Sequence, residues 1–454
     1  MHDHARRRPE APALLVGREP VSYAVLDRRV RRAGAVLHAL GVGERDRVAF
    51  VLPNGPEAVI LLLALLRLGA VACPLSTRLP ERQWVERARG VGSRWLITDR
   101  PVNEAAGLQV VDAADLARGR DAGPAGEALS LAAWATVVHT SGSTGTPRAA
   151  VHALGRHVHN ARGVVEHLDL RPGDRWLLSL PMYHVGGLAI VFRALGAGAT
   201  VVIPDPGEPM GEVLRHHDVT HVSMVATQLY RLLADGVRPG RLRAILLGGG
   251  PVAPSLRRRA EKQALPVVYS YGLTEMASLV TATPLPCPVH HRDSSGKVLP
   301  GRELSVTPSG AIRVRGATLF EGYLTPEGLH RPLDEAGWFP TGDMGRVDPS
   351  GYLYVLGRQD HMFVSGGENV HPEAIEAALC AVPGVRRAVV VPVPDPEFGA
   401  RPVAFIDGEG AERDRSYWLE RLREHLPRFM VPVAFYAWPE EGMGPGFKPS
   451  RRVF

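Results

Sequence analysis

The sequence predicts an α/β protein: a large N-terminal domain of parallel or mixed sheets flanked by helices, a β-rich subdomain, and a small α+β C-terminal domain. Short β-branched apolar runs alternate with helical periodicities through most of the chain, which implies right-handed crossovers and a largely parallel sheet. Several of those runs end in glycine-rich turns, the place where open parallel sheets bind ligands. From about Ser294 the pattern changes to short strands and turns.

Taken in order, Leu26, Val30, Ala33 and Leu37 recur at helical spacing after Ser22, and Gly41 stops that helix. Residues 47–52 read as a strand, 56–68 as a helix opened by proline, and 70–75 as the next strand. Residues 119–126 are a loose, glycine-rich connection. Residues 135–139 form a short buried strand that ends in Thr140-Ser141-Gly142-Ser143-Thr144-Gly145-Thr146-Pro147-Arg148. Such a loop can cradle a phosphate, because glycine lets the backbone approach closely while N–H and hydroxyl groups donate. It is not a Walker A loop, which needs Lys-Ser/Thr where this chain has Arg148-Ala149.

Residues 162–168 read as helical and 175–180 as a strand, followed by His184-Val185-Gly186-Gly187 and a helix carrying Arg193. A lone histidine is by default a satisfied core residue. The paired glycines open space beside this one, as a pocket wall requires. Strands at 200–203 and 219–225 follow, then a helix at 227–234. The strand 243–247 runs into Gly248-Gly249-Gly250-Pro251, and 266–270 into Tyr271-Gly272-Leu273-Thr274-Glu275. A hydroxyl beside an acid can meet a phosphate and Mg²⁺, although alone the pair reads as an ordinary helix start. Further on, residues 311–316 and 351–357 read as strands, 373–379 and 417–425 as helices, and 431–438 as a proline-rich strand.

Composition narrows the function classes. The chain has 454 residues, 45% of them hydrophobic, enough for a large core and two or more domains. Lys and Arg total 53 against 47 acidic residues, spread along the chain, which suits small anionic substrates and makes no case for nucleic acid. Cys73, Cys287 and Cys380 are far apart without metal-ligand spacing, the start lacks an apolar signal core, and the longest aliphatic run is too short to span a bilayer. A cytoplasmic protein with no membrane span is expected; monomer and homodimer are both left open.

The motif order supplies more. The stretches Thr140 to Arg148, Tyr271 to Glu275, Thr341-Gly342-Asp343, Gly357-Arg358 and Ser365-Gly366-Gly367-Glu368, then Lys448, follow one another as in the AMP-forming acyl-CoA synthetases. The resemblance to this adenylate-forming superfamily, shared with luciferases and peptide-synthetase adenylation domains, covers nearly the whole chain. It implies ATP, Mg²⁺ and CoA. The loop of Thr140, Ser141, Gly142, Ser143, Thr144, Gly145 and Arg148 would handle the β- and γ-phosphates. Gly248, Gly249, Gly250 and Pro251, with Ser270, Tyr271 and Gly272, would line the adenine slot. Thr274 would meet the α-phosphate, Glu275 the Mg²⁺, and Asp343 and Arg358 the ribose. Asp360 would be the hinge between an N-terminal domain, 1–357, and a mobile C-terminal domain, 358–454. Lys448 would act in adenylation, and Gly366 and Gly367 would face the thiol tunnel afterwards. One departure stands out: the family loop usually ends Lys-Gly.

Five strings resemble the o-succinylbenzoate–CoA ligases of menaquinone synthesis in particular. They are residues 181–188 with Arg193, 220–227, 246–251, 269–278 and 365–370. This implies o-succinylbenzoate as the acid, with His184, Arg193, Arg78, Gly249 and Ser278 at the acyl group. Alternatives are another aromatic or fatty acyl-CoA ligase, a stand-alone amino-acid adenylating enzyme, or a non-catalytic nucleotide-binding regulator. No acid near His184 would pair a substrate amine, and a regulator could dispense with Glu275 and Lys448.

Overall fold

A computed structural model describes residues 1–119, 129–140, 147–238, 240–250, 252, 254–365, 368–409, 411–423 and 426–439. Among the described residues two large sheets dominate. The nine-stranded one runs in the order Lys297–Val298, Ser278–Ala282, Val267–Leu273, Ala244–Leu247, His221–Met224, Arg175–Leu177, Thr200–Ile203, Pro12–Val16, Glu19–Ser22. Its interior pairings are parallel, and antiparallel strands close both edges. The eight-stranded sheet is parallel from Gln109–Asp112 to Trp134–His139, then antiparallel through Ala149–Ala153, Gly322–Thr325 and Gly328–His330.

Helices fill the space between the sheets. One core cluster joins Leu14, Trp176 and Val201 of the first sheet to Val48, Phe50 and Val138 of the second. It also takes in Leu26 and Val30 from Tyr23–Ala39, Leu61 and Leu65 from Pro56–Arg67, and Leu188 and Ile190 from Val185–Ala197. The helix Pro56–Arg67 is apolar almost all round because it lies between layers. Ser22 caps the Tyr23–Ala39 helix by accepting from the Val25 N–H.

The β-rich part is a four-stranded antiparallel sheet, Arg302–Val306, Ala311–Gly316, Phe339–Val347 and Leu353–Arg358. Beyond it lie the pair Phe363–Ser365 and Glu368–Val370, the helix Pro372–Cys380 and a three-stranded mixed sheet. Val370, Ile375, Val390, Ile406 and Trp418 form a separate small core there.

The helix read from residues 162–168 extends back to Leu154. Its first half, Leu154-Gly155-Arg156-His157-Val158-His159-Asn160, is poor in strong helix formers, and burial rather than propensity holds it. The strand expected at 175–180 stops at Leu177, and the C-terminal one shortens to Ala434–Ala437.

Candidate active site

Three neighbouring parallel strands, His221–Met224, Ala244–Leu247 and Val267–Leu273, carry their C-terminal ends to one edge of the sheet. After the second comes Gly248-Gly249-Gly250, where Gly249 has φ +83°. A Cβ on Gly248 would lie 2.8 Å from Ser270 Oγ, which donates to the Leu247 carbonyl at 2.9 Å. The third strand bulges at Tyr271 and Gly272, and a Cβ on Gly272 would sit 2.1 Å from the Ser278 carbonyl oxygen. Only glycine fits that crossing.

Thr274 and Glu275 open the turn that follows. The strand leaving the Thr140–Arg148 loop reaches this turn through buried His152, whose Nε2 lies 2.7 Å from the Thr274 carbonyl oxygen. That nitrogen must carry the proton, so Nδ1 accepts. Thr136, on the strand entering the loop, lies 3.4 Å from His152 Nδ1 and 2.8 Å from His157 Nε2. The consistent order runs from His157 Nε2–H to Thr136 Oγ1, from its hydroxyl to His152, and from His152 to Thr274. Burial pushes His152 down to about 4, which keeps it neutral in this chain of donors. Both arms of the loop are thereby tied to the turn bearing Glu275.

The loop's neck is closed by the Thr140 N–H, which donates to the Arg148 carbonyl at 2.8 Å. Thr140 Oγ1 is buried without a partner among the described residues, a hydroxyl available to an incoming oxyanion. Arg148 stacks its guanidinium carbon 4.3 Å over the Tyr323 ring, and the Tyr323 hydroxyl donates to Glu275 Oε1. Burial, then the Glu275 charge, pushes the Tyr323 phenol far above its usual range, so it stays a donor. Glu275 is itself buried. Among the described residues no group of three or more His, Cys, Asp or Glu is arranged to hold a metal. One buried carboxylate, joined through Tyr323 to Arg148, fits Mg²⁺, a hard ion that takes few protein oxygens and bridges phosphates.

A second acid stands on the facing sheet. Asp343 Oδ2 accepts from the Tyr271 hydroxyl at 2.7 Å, and Oδ1 lies 3.3 Å from Arg358 Nη1. Arg358 also grips Asp360, with Nε at 2.9 Å and Nη2 at 3.3 Å. The ribose and hinge residues read from the sequence thus form one hydrogen-bonded row. Gly342, at φ +74°, leaves room for that guanidinium.

His184 is exposed at the N-cap of Val185–Ala197, its ring edge-on to Tyr183 at 4.7 Å. Gly187 in the first turn of that helix is needed because a Cβ would lie 2.2 Å from the Pro181 carbonyl oxygen. Arg193, two turns further, is 1% exposed. Its Nη2 donates to Asn160 Oδ1 and to Ser278 Oγ, each at 3.1 Å, while Nε has no partner. Among the described residues no carboxylate pairs with it. Burial and then the nearby Arg302 lower it to about 9, so it stays charged near neutrality.

Arg193 and Ser278 are therefore brought together. Arg78 is exposed, four residues after the strand Val71–Pro74. Ser141, Gly142, Ser143, Thr144, Gly145, Pro251, Gly366, Gly367 and Lys448 lie outside the described residues. His152, Asn160, Arg302 and Tyr323 were not read as site residues. The available signal was a polar stripe, His157 and Asn160 three apart, on a helix face that also carries Ala161 and Val164.

The fold and its strand-end crevice define an AMP-binding enzyme: that family matches residues 1–324, and the AMP-binding enzyme C-terminal domain matches 374–441. A 2-succinylbenzoate–CoA ligase of Salmonella typhimurium is 36% identical, covering 98% of this chain and 94% of that protein. Two solved structures of o-succinylbenzoate CoA synthetase from Bacillus subtilis, each 29% identical and covering 99% of this chain, superpose with high scores. The complex with the acyl-adenylate OSB-AMP has a TM-score of 0.93 and 96% of its chain covered; that with ATP and magnesium ion has 0.90 and 98%. The chain belongs to the 2-succinylbenzoate–CoA ligase family.

Proposed function

We propose that this chain activates o-succinylbenzoate with ATP and transfers the acyl group to CoA, giving o-succinylbenzoyl-CoA, AMP and pyrophosphate in menaquinone synthesis. The observation that supports the reading is the tie from His152, on the strand after Arg148, to the Thr274 carbonyl beside Glu275; the Tyr271 hydroxyl separately joins the strand before that turn to Asp343 and, through it, Arg358.

A carboxylate oxygen of the acid attacks the α-phosphorus and pyrophosphate leaves. Thr140, Arg148 and the glycine loop hold the departing phosphates, Thr274 orients the α-phosphate, and Gly248, Gly249 and Gly250 with Ser270 flank the base. Asp343 and Arg358 hold the ribose hydroxyls. Glu275, steadied by Tyr323, would hold Mg²⁺, which supplies charge neutralisation at the phosphates. Lys448 would bridge the carboxylate and α-phosphate during this step. The CoA thiolate then attacks the acyl carbonyl and AMP leaves. In this reading residues 358–454 rotate at Asp360 between the steps, bringing Gly366 and Gly367 to the thiol path. The Arg358–Asp360 pair supports that position for the hinge, since a rotation there must remake it.

The acid's ring carboxylate is recognised and not consumed. Burying it without a partner would be costly, and Arg193 with Ser278 offers a buried cation that no carboxylate among the described residues satisfies. His184 would form the pocket rim. A cytoplasmic setting agrees with three free cysteines and with the lack, among the described residues, of a helix long and apolar enough to cross a membrane.

The test is product analysis across a panel of acids. Pyrophosphate and AMP should appear with o-succinylbenzoate, and thioester only when CoA is added. ADP as product, or equal rates with benzoate and fatty acids, overturns the reading.

A further inference from the structure

The groups behind Arg193 form a cluster that the reaction itself does not use. Asn160 is 1% exposed in the middle of the helix Leu154–Leu168. An asparagine there has poor helix propensity and a polar amide to bury, so its reason must be tertiary. All of its amide is engaged: Nδ2 donates to the Met276 and Leu279 carbonyls at 3.0 and 3.1 Å, and Oδ1 accepts from Arg193. Its backbone carbonyl accepts from Arg302 Nη2 at 3.0 Å. Arg302 directs its other donors to the Leu279 and Pro300 carbonyls, and Gly163 makes room for it, since a Cβ would lie 2.4 Å from Nη1. Each Arg302 nitrogen thus donates to a backbone carbonyl, whereas the Arg193 Nε has no partner among the described residues.

Burial and then the nearby Arg302 charge lower the Arg193 guanidinium, and the residue that contacts both arginines carries a neutral amide. An aspartate at position 160 would be nearly the same shape and would pair with Arg193, relieving the cost of a buried cation. Among the described residues that charge instead meets no carboxylate, only the Trp176 ring 5.6 Å away, and an incoming anion can complete it.

We propose that Asn160 is a positioning residue for substrate specificity: it aims the Arg193 guanidinium at the acyl end of the crevice without neutralising it, so that the site favours acids bearing a second carboxylate. Arg302 reinforces that preference through its charge alone. This rests on the reading that Arg193 receives the ring carboxylate.

The experiment measures kcat/KM for o-succinylbenzoate and for 4-oxo-4-phenylbutanoate, which lacks the ring carboxylate, and takes their ratio. Loss of fold integrity lowers both and leaves the ratio alone. Asn160→Asp should lower the ratio by roughly tenfold or more, chiefly through the KM for o-succinylbenzoate. Asn160→Ala, which removes the acceptor without adding charge, should lower it by about threefold. Arg193→Leu is the control. If it leaves the ratio intact, the underlying carboxylate reading fails. If it collapses the ratio while Asn160→Asp and Asn160→Ala match the unmodified protein, the role of Asn160 is overturned. Should Asn160→Asp not fold, Asn160→Ala decides by the same criterion.

Discussion

Arg193 and Ser278 meet at 3.1 Å across the seam between the helix Val185–Ala197 and the strand Ser278–Ala282, 85 residues apart in sequence. Ser278 holds a φ of +135°, a region that glycine adopts freely and serine only at a cost. A hydroxyl kept at a strained position is there for its contact. Ser278→Gly should leave the urea midpoint unchanged or slightly raised, because lost strain offsets a lost hydrogen bond. The same variant should raise the KM for o-succinylbenzoate several-fold. A lower midpoint with an unchanged KM would make the serine structural.

The parts of this site legible in the sequence are those that strand-end chemistry marks locally. Gly248 to Gly250 and Tyr271 to Glu275 stand out because β-branched runs stop at glycines, and the folded chain places those ends side by side. Asn160 and Tyr323 were illegible for the opposite reason. Asn160 lies in a weak helix pattern, and its partners are carbonyls more than a hundred residues away. Tyr323 reads as an ordinary strand tyrosine until the pairing of Gly322–Thr325 with Ala149–Ala153 brings it beside Arg148. The antiparallel return of Ala149–Ala153 was hidden too, since its alanines and valine do not reveal strand direction.

Acid should unfold this protein earlier than carboxylate protonation alone would. His152 is buried neutral, with its folded value near 4 against 6.5 when unfolded. The unfolded chain therefore binds the extra proton first, and this contribution to stability is complete above pH 6.5 and lost as pH falls towards 4. For His152 alone the loss between pH 6.5 and 5 is about 1.5 kcal/mol. His157, lowered well below its usual value by burial and then by His152, adds in the same direction. Urea unfolding at several pH values should show this slope, and His152→Gln should flatten it while keeping a donor for Thr274. A slope indifferent to that substitution would mean the histidine pair titrates normally.

Gly272 has a purely steric role. Its place at the bulge puts any Cβ 2.1 Å from backbone, which cannot swing aside as a flexible side chain would. Gly272→Ala should cost roughly 2 kcal/mol or more, by the overpacking argument. It should also displace Ser278, so substrate affinity falls with stability. Denaturation and KM measured on one preparation check both. An alanine tolerated in both would show that the two strands can separate here.

The two half-reactions should separate genetically. Under the proposed roles, Lys448→Ala loses pyrophosphate release but still converts preformed acyl-adenylate and CoA to thioester. Asp360→Pro should do the reverse, because proline fixes φ at the hinge. Equal loss of both steps in either variant contradicts its assigned role.

The contact between Arg148 and Tyr323 accounts for the arginine that stands where the family usually has lysine. A planar guanidinium stacks on a ring in a way that an ammonium cannot reproduce. The ring's hydroxyl then holds Glu275, so one tyrosine links the cation of the phosphate loop to the carboxylate expected to meet Mg²⁺. Tyr323→Phe keeps the platform and removes the hydroxyl. It should raise the Mg²⁺ concentration needed for half-maximal pyrophosphate release while leaving the KM for the acid alone. Tyr323→Leu removes both, and Arg148→Ala removes the stacked partner. In a double-mutant cycle on the KM for ATP, the pair should be non-additive by roughly 0.5–1 kcal/mol. Calorimetric titration of Mg-ATP without acid gives the same coupling independently of turnover. Additive effects in both measurements would mean that the stack neither positions Arg148 nor matters to the phosphates, and the replacement of lysine would then have no explanation in this contact.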